Sequence, residues 1–312
     1  MSATILPFIR PPQDALMSLH SKVPASAMTA GMLGTTRNGH AVQVTADGLL
    51  LTVGYVVMEA SEVWLTNNKG QTAEALVLAH DYDSGLALLR PLQSLGLTYL
   101  DTAPIASVAI GDQLSILGSG DKQAFSVELY ALEEFAGRWE YLLELACYTL
   151  PLYDRWSGAA LLNDAGKLVG IGSLALGLRG ASGEIEPGNL FIPVELVMPY
   201  VENMRMFGQK PGKLRSWLGL MVEEQDSSIY VVGIYHDGPA FRAGIKPGDI
   251  IESVDQMPVS NLAGFFRTIW SYGAAGVALP LTIANGKVTR EVILVTIDRN
   301  SFFMQHAGNL IN

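Results

Sequence analysis

Apolar and polar residues alternate in short bursts through most of the first two hundred positions, and the bursts end at glycine, asparagine or aspartate. His40–Thr45 meets the turn Ala46-Asp47-Gly48 and is followed by the apolar run Leu49–Val57. Glu62–Thr66 runs into Asn67-Asn68-Lys69-Gly70, and Glu74–Leu78, Leu86–Leu89, Gln113–Leu117, Ser126–Leu132 and Lys167–Ser173 continue the series. Strands at this spacing predict a sandwich or barrel. The regular alternation of strand and helix that marks a parallel α/β sheet is missing. Two helical segments flank this β-rich block. Gln13–Lys22 predicts a short helix before a loop over Pro24–Thr36, and Pro193–Phe207 reads as helical because Val194, Val197, Val201 and Met204 recur every three or four residues.

A polar stretch with glycine and proline, residues 208–213, reads as a linker. Beyond it, residues 214–299 predict a small α+β module with strands at Trp217–Val222, Ile229–Tyr235, Asp249–Val254, Leu279–Ala284 and Thr289–Ile297. Two short helices fall near Ala240 and over Leu262–Trp270. The predicted organisation is an N-terminal segment (1–36), a β domain (37–207), the linker, the module, and a tail (300–312).

Composition narrows the function classes. The 312 residues are 49% hydrophobic and 16% charged, the reverse of a disordered chain. A net charge of −10 argues against nucleic acid as a partner, because phosphate binding needs clustered Lys and Arg. Mean hydropathy of +0.27 raises the membrane question. The uncharged stretch 268–286 is broken by Gly273, Gly276 and Pro280, so no transmembrane segment is predicted. Ala3–Ile9 before Arg10-Pro11-Pro12 is short for a signal peptide; the expectation is cytoplasmic, or periplasmic if the start is truncated or misassigned. The single cysteine, Cys147, has apolar neighbours and reads as a small buried hydrophobe. No His-Glu-x-x-His, paired Cys/His or Asp-rich calcium loop is present, so neither metal nor cofactor is expected.

In the module, Gly238-Pro239-Ala240-Phe241-Arg242-Ala243-Gly244-Ile245-Lys246-Pro247-Gly248-Asp249-Ile250-Ile251, with Trp217-Leu218-Gly219-Leu220 before it, resembles the bacterial PDZ domain of HtrA/Deg-type proteins. Pro239 suits a first helical turn, Gly244 a helix end, and Lys246-Pro247-Gly248-Asp249 a turn before a strand. The resemblance implies that backbone amides of the Leu218, Gly219 and Leu220 loop receive a peptide's C-terminal carboxylate. The groove would lie between the strand from Leu220 and the helix carrying Ala263, Phe266 and Ile269. Phe266 and Ile269 also fit a plain core role at that spacing.

HtrA/Deg-type proteins carry a trypsin-like domain before the PDZ domain, and the resemblance extends to it. Trp156-Ser157-Gly158-Ala159-Ala160-Leu161-Leu162-Asn163, then Gly166-Lys167-Leu168-Val169-Gly170-Ile171, resembles the family's Gly-Asn-Ser-Gly-Gly nucleophile block and the strand after it. Ser157 falls on the nucleophile. Asp47-Gly48-Leu49-Leu50-Leu51-Thr52-Val53-Gly54-Tyr55-Val56-Val57 resembles Asp-Gly-x-Ile-Leu-Thr-Asn-x-His-Val-Val, with Tyr55 in the histidine's place. Asp81-Tyr82-Asp83-Ser84-Gly85-Leu86-Ala87-Leu88-Leu89 resembles Asp-x-x-Thr-Asp-Leu-Ala-Leu-Leu, with Gly85 in the aspartate's place. The chemistry needs all three roles. Of the five histidines only His40 and His80 sit in the β block as substitute bases, and a hydrogen-bonded strand-end role competes for both. Glu133-Glu134, Glu140 and Glu144 fit a solvated segment anchored by Phe135, Trp139 and Tyr141, which no family motif matches.

The expected fold is mainly β: a chymotrypsin-like double β-barrel followed by a small α+β PDZ domain. The first functional reading is a proteolytically inactive HtrA-like protein whose PDZ domain binds peptide or protein C-termini. A second is an active serine endopeptidase using Ser157 with an unconventional base. A third is a homo-oligomeric scaffold assembling through apolar residues such as Ile5, Leu6 and Phe8.

Overall fold

The computed structural model describes residues 11–95, 98–180 and 183–309; Ile5, Leu6 and Phe8 lie outside the described residues. Strands β1 (Leu16–Lys22), β2 (Thr36–Gln43), β3 (Leu50–Val53), β4 (Glu62–Thr66), β5 (Thr72–Asp81) and β6 (Leu86–Pro91) close a barrel in the order β1-β2-β3-β6-β5-β4. Strands β7 (Gln113–Leu117), β8 (Phe125–Gly137), β9 (Tyr141–Leu150), β10 (Ala160–Leu162), β11 (Leu168–Arg179) and β12 (Ile185–Pro193) close a second, in the order β10-β11-β12-β9-β8-β7. Closure pairs every strand on both sides and leaves no sheet edge. The first barrel buries Leu16, Leu50, Leu51, Leu65, Leu86 and Leu88 completely. The second is filled by Ile116, Leu129, Cys147, Leu161, Val169 and Phe191.

The module is a sheet of β13 (Leu220–Gln225), β14 (Ser228–Ile234), β15 (Ile250–Val254), β16 (Met257–Pro258), β17 (Ala278–Asn285) and β18 (Val288–Val295). Its order is β13-β14-β15-β17-β18, with β16 against β15. The β13–β14 turn places Asp226 and Ser227 at φ of 49° and 57°, the left-handed pair that matches strand twist in a two-residue hairpin. Helices α1 (Ala30–Leu33), α2 (Val201–Phe207), α3 (Pro239–Arg242), α4 (Leu262–Ser271) and α5 (Arg299–Asn309) complete the chain. The N-terminus of α4 is capped by the Asn261 side chain, which accepts from the Gly264 amide at 2.7 Å.

Several sequence expectations are corrected. Gln13–Lys22 is not a helix: a short 3-10 turn over Pro12–Ala15 leads into β1. Leu16 and Leu19 have helical spacing, but Met17 pairs with Ala41 on one side and Leu19 with Leu65 on the other. Two flanking strands decide the matter. The loop expected over Pro24–Thr36 contains α1 and the first residue of β2. Within Pro193–Phe207 only α2 is α-helical, because Pro193 ends β12 and Pro199 interrupts amide donation in the turns before it. In the tail, α5 begins at Arg299, and the Phe302 ring centroid lies 4.8 Å from that of Trp217.

The chain forms two compact units that are not contiguous in sequence. One holds Met32–Glu133 and Leu145–Lys210 with the chain up to Ala25. The other holds Pro211 onward together with Ser26–Gly31 and Glu134–Glu144. The end of the β8–β9 hairpin therefore belongs to the unit of the PDZ-like module. Glu133–Cys147 is two strands and their connecting turn; Glu133, Glu134 and Glu144 are exposed as expected, but Glu140 in the turn is only 6% exposed, against the solvated reading.

Candidate functional site

Ser157 lies on a turn between β9 and β10 whose backbone is fixed from several sides. The Gly158 amide donates to the Gly172 carbonyl at 2.8 Å, and the His40 amide donates to the Ser157 carbonyl at 2.8 Å. Gly158 has φ +77°, and a Cβ there would fall 2.0 Å from the His40 carbonyl oxygen, so glycine alone fits. Ahead of the serine, Arg155 is ion-paired with Asp121 and donates to the Ser119 carbonyl at 3.2 Å. Asp121 also accepts from the Tyr153 hydroxyl and the Gly118 amide, tying this loop to the Gly118–Asp121 turn.

Tyr55, on the 3-10 turn Gly54–Val56 after β3, brings its hydroxyl to 2.5 Å from Ser157 Oγ. The same hydroxyl is 2.8 Å from the Ser173 carbonyl oxygen, which can only accept. The phenol's one proton therefore goes to Ser173, and Ser157 donates to the phenol oxygen. Burial pushes the Tyr55 phenol above its ordinary value of 10, against the pull of its hydrogen bonds to Ser157 and Trp156. A neutral phenol oxygen is not a base at neutral pH, and its phenolate is even less accessible than in water.

Gly85 has φ +78° and its carbonyl accepts from the Gly54 amide at 2.7 Å. It supplies backbone, not a carboxylate. His40 Nδ1 accepts from the Ser119 amide at 3.0 Å. Burial, with the nearby charge of Arg155, pushes its imidazole down to about 4. His40 is a neutral structural ligand of the Ser119 loop. His80 stacks on Tyr82 with ring centroids 5.6 Å apart. The structure thus brings the Tyr55 hydroxyl to Ser157 Oγ, while His40 meets Ser157 through its backbone amide and turns its ring Nδ1 to the Ser119 amide. Cys147 is fully buried and its thiol is pushed up to about 12, the inert hydrophobe its neighbours suggested.

The second cluster is the amide loop at Leu218, Gly219 and Leu220. Gly219 has φ +76°, which turns successive amides toward one point. That point is occupied. The Leu218 amide donates to Glu140 Oε2 and the Leu220 amide to Glu140 Oε1, both at 2.8 Å. The Val222 amide of β13 donates to the Arg138 carbonyl at 2.9 Å. Leu142 is buried in the same core cluster as Leu218, Leu220, Phe266 and Ile269, and Ala136 packs against that cluster. Arg138 is ion-paired with Glu223, and Arg267 with both Glu134 and Glu144. Phe266 and Ile269 are fully buried. Sequence reasoning missed Glu140 and Leu142; the signal available was a lone carboxylate between Trp139 and Tyr141, an unusual setting for a solvated turn. Among the described residues no group of three or more His, Cys, Asp or Glu could hold a metal ion.

Burial pushes the Glu140 carboxyl up to about 7, opposed by the amides of Leu220, Leu218 and Gly219 and by the charge of Arg299. Released from its site the same group titrates near 4.5. The docked turn therefore favours the protonated form. Its contribution to stability is fully present below about 4.5 and is lost as pH rises through about 7, on the order of 3 kcal/mol in all. Asp249, held below its ordinary 3.8, acts only at lower pH, whereas His40, pushed down to about 4, opposes Glu140 by losing stability as pH falls through its ordinary 6.5. Urea unfolding followed by tryptophan fluorescence should therefore give the wild type a more favourable change in midpoint from pH 8 to pH 5.5 than Glu140→Gln, which keeps only the opposing His40 effect. Equal changes in the two proteins would contradict the assignment.

Comparison with known proteins places these sites in a family. The trypsin-like peptidase domain matches residues 39–171 and the PDZ domain matches residues 216–295. The chain carries a trypsin-like peptidase domain followed by a PDZ domain, the domain pair of HtrA/Deg-type proteins. It is 28% identical over 254 residues to a probable serine protease do-like of Buchnera aphidicola, covering 76% of this chain and 52% of that protein. It is 28% identical to the periplasmic serine endoprotease DegP of Salmonella typhimurium, covering 70% of this chain and 48% of that protein. This HtrA-type chain spans about half the length of these curated relatives. Among solved structures it shares its fold with the HtrA-type protease AlgW with decapeptide (TM-score 0.55, 21% identity, 92% of this chain and 96% of that one). It shares it also with the serine endoprotease from Yersinia pestis (TM-score 0.54, 21% identity, 92% and 94%).

Proposed function

We propose that this HtrA-type chain is a binding protein that does not hydrolyse peptide bonds, with its PDZ module taking up polypeptide carboxylates at the Leu218–Leu220 loop. The observation that carries the reading is the hydrogen bond from Ser157 Oγ to the Tyr55 phenol. The nucleophile position faces a group that holds its proton in place and has no capacity to take it. Losing the base or the nucleophile of such a triad lowers kcat by about 10⁶. The amides at Leu218 and Leu220 are donors of the kind that recognise a carboxylate, and charge-assisted bonds of this kind are the stronger ones.

The test is direct. Unfolded casein should remain uncut after prolonged incubation, and a serine-directed fluorophosphonate should leave Ser157 unlabelled where trypsin is labelled to completion. Tyr55→His alone should not restore cleavage, since Gly85 offers no carboxylate to orient an imidazole and its left-handed backbone disfavours one. Labelling of Ser157 at a protease-like rate, abolished in Ser157→Ala, would overturn the proposal and establish the endopeptidase reading.

A further inference from the structure

We infer that the segment Glu134–Glu144 is the resident ligand of the PDZ groove, so that an external peptide with a free C-terminus enters only by displacing it. The inference rests on the proposed carboxylate uptake at the Leu218–Leu220 loop and names what that loop already holds. Its two observed donors are both used, one to each oxygen of a single carboxylate, in the arrangement a peptide terminus would need. Here the carboxylate is a side chain in the middle of the chain.

Three further contacts make Glu134–Glu144 a ligand and not a chance neighbour. The Arg138 carbonyl takes the Val222 amide of β13, which is how an added strand pairs with a sheet edge. Leu142 supplies an apolar anchor, 4% exposed, among Leu218, Leu220, Phe266 and Ile269. Arg138 with Glu223, and Arg267 with Glu134 and Glu144, clamp the segment from the module's side. The Trp139 carbonyl also accepts from Arg299 at 3.2 Å, which brings the start of α5 into the same closure. Glu140 itself sits at φ +56°, a left-handed backbone that few side chains adopt and that the turn imposes to aim its carboxylate.

A tethered ligand competes at an effective concentration set by its tether, of millimolar order for a short one. A peptide of micromolar intrinsic affinity then appears weaker by the inverse of the fraction of open grooves, about tenfold where a tenth are open. Glu140→Ala removes the carboxylate and should open the site. Glu140→Gln keeps the shape but sets an NH₂ against one of the two amide donors, and should fall between.

The experiment uses the full chain and a fluorescein-labelled octapeptide ending in leucine, free or amidated at its C-terminus, read by fluorescence anisotropy. Amide hydrogen exchange at Leu218 and Leu220 is followed in the same proteins without peptide. Expected are slow exchange in the wild type, fast exchange in Glu140→Ala, and at least tenfold tighter binding of the free-terminus peptide by Glu140→Ala. The amidated peptide should gain nothing. Equal exchange in the two proteins, or equal peptide binding, overturns the resident-ligand inference while leaving carboxylate uptake standing. Slow exchange in the wild type with no peptide bound even by Glu140→Ala overturns carboxylate uptake from outside, and displacement with it. Glu140→Gln, with its intact side-chain volume, carries the comparison if Glu140→Ala does not fold.

Discussion

Leu142→Ala is expected to destabilise the PDZ module by about 2–5 kcal/mol, although Leu142 lies in β9, far outside the module's own sequence. Its side chain is part of the core that contains Val222, Ile251, Phe265 and Leu281, so truncation leaves a cavity there and not in the barrel. Leu145, three residues along the same strand, is 36% exposed and provides the internal control. Leu145→Ala should change stability by less than about 0.5 kcal/mol, as exposed substitutions commonly do. Urea unfolding followed by the fluorescence of Trp217 and Trp270 separates the two. Equal effects of the two substitutions would mean that the hairpin does not contribute to the module's core.

Gly172→Ala should be strongly damaging, beyond about 4 kcal/mol and enough to prevent soluble expression of a folded second barrel. A Cβ at position 172 would stand 1.9 Å from the Trp156 carbonyl oxygen, a backbone atom that cannot move without breaking the serine turn. Two neighbouring glycines have the same role. A Cβ on Gly39 would meet the Ser157 carbonyl at 2.8 Å, and one on Gly158 the His40 carbonyl. Gly31, in α1, has nothing within 4 Å of its would-be Cβ, and Gly31→Ala should be neutral or slightly stabilising. Thermal unfolding of the pair is the measurement; a folded Gly172→Ala protein with an unchanged melting temperature would show that the turn is looser than described.

Much of this architecture is legible in the residues. Turn chemistry such as Asn67-Asn68-Lys69-Gly70 fixes hairpins locally: the Asn67 side chain accepts from the Lys69 and Gln71 amides, a bond needing nothing beyond the turn itself. The run Gly238–Ile251 specifies a helix start, a helix end and a turn in order, and the module follows from it. The resemblance to family motifs put Ser157 and Tyr55 at one site, and the structure brings their hydroxyls together. What the residues of β1 lacked was a decisive period, since Leu16, Met17 and Leu19 satisfy a strand or a short helix about equally until β2 and β4 flank them.

Sequence alone determined the mainly β fold, a trypsin-like double barrel followed by a PDZ domain, because these depend on local turn chemistry and on short motifs. Tertiary structure alone decided where Glu140 and Leu142 belong. A glutamate in a polar, aromatic-flanked turn is expected in water, since an unpaired buried carboxylate is costly. Here the compensation comes from amides 78 and 80 residues away, with the charge of Arg299 from the far end of the chain. No pattern along one strand carries that information. A period shows which face is apolar, but what covers that face, and which donors meet a carboxylate, is fixed only when distant segments fold together.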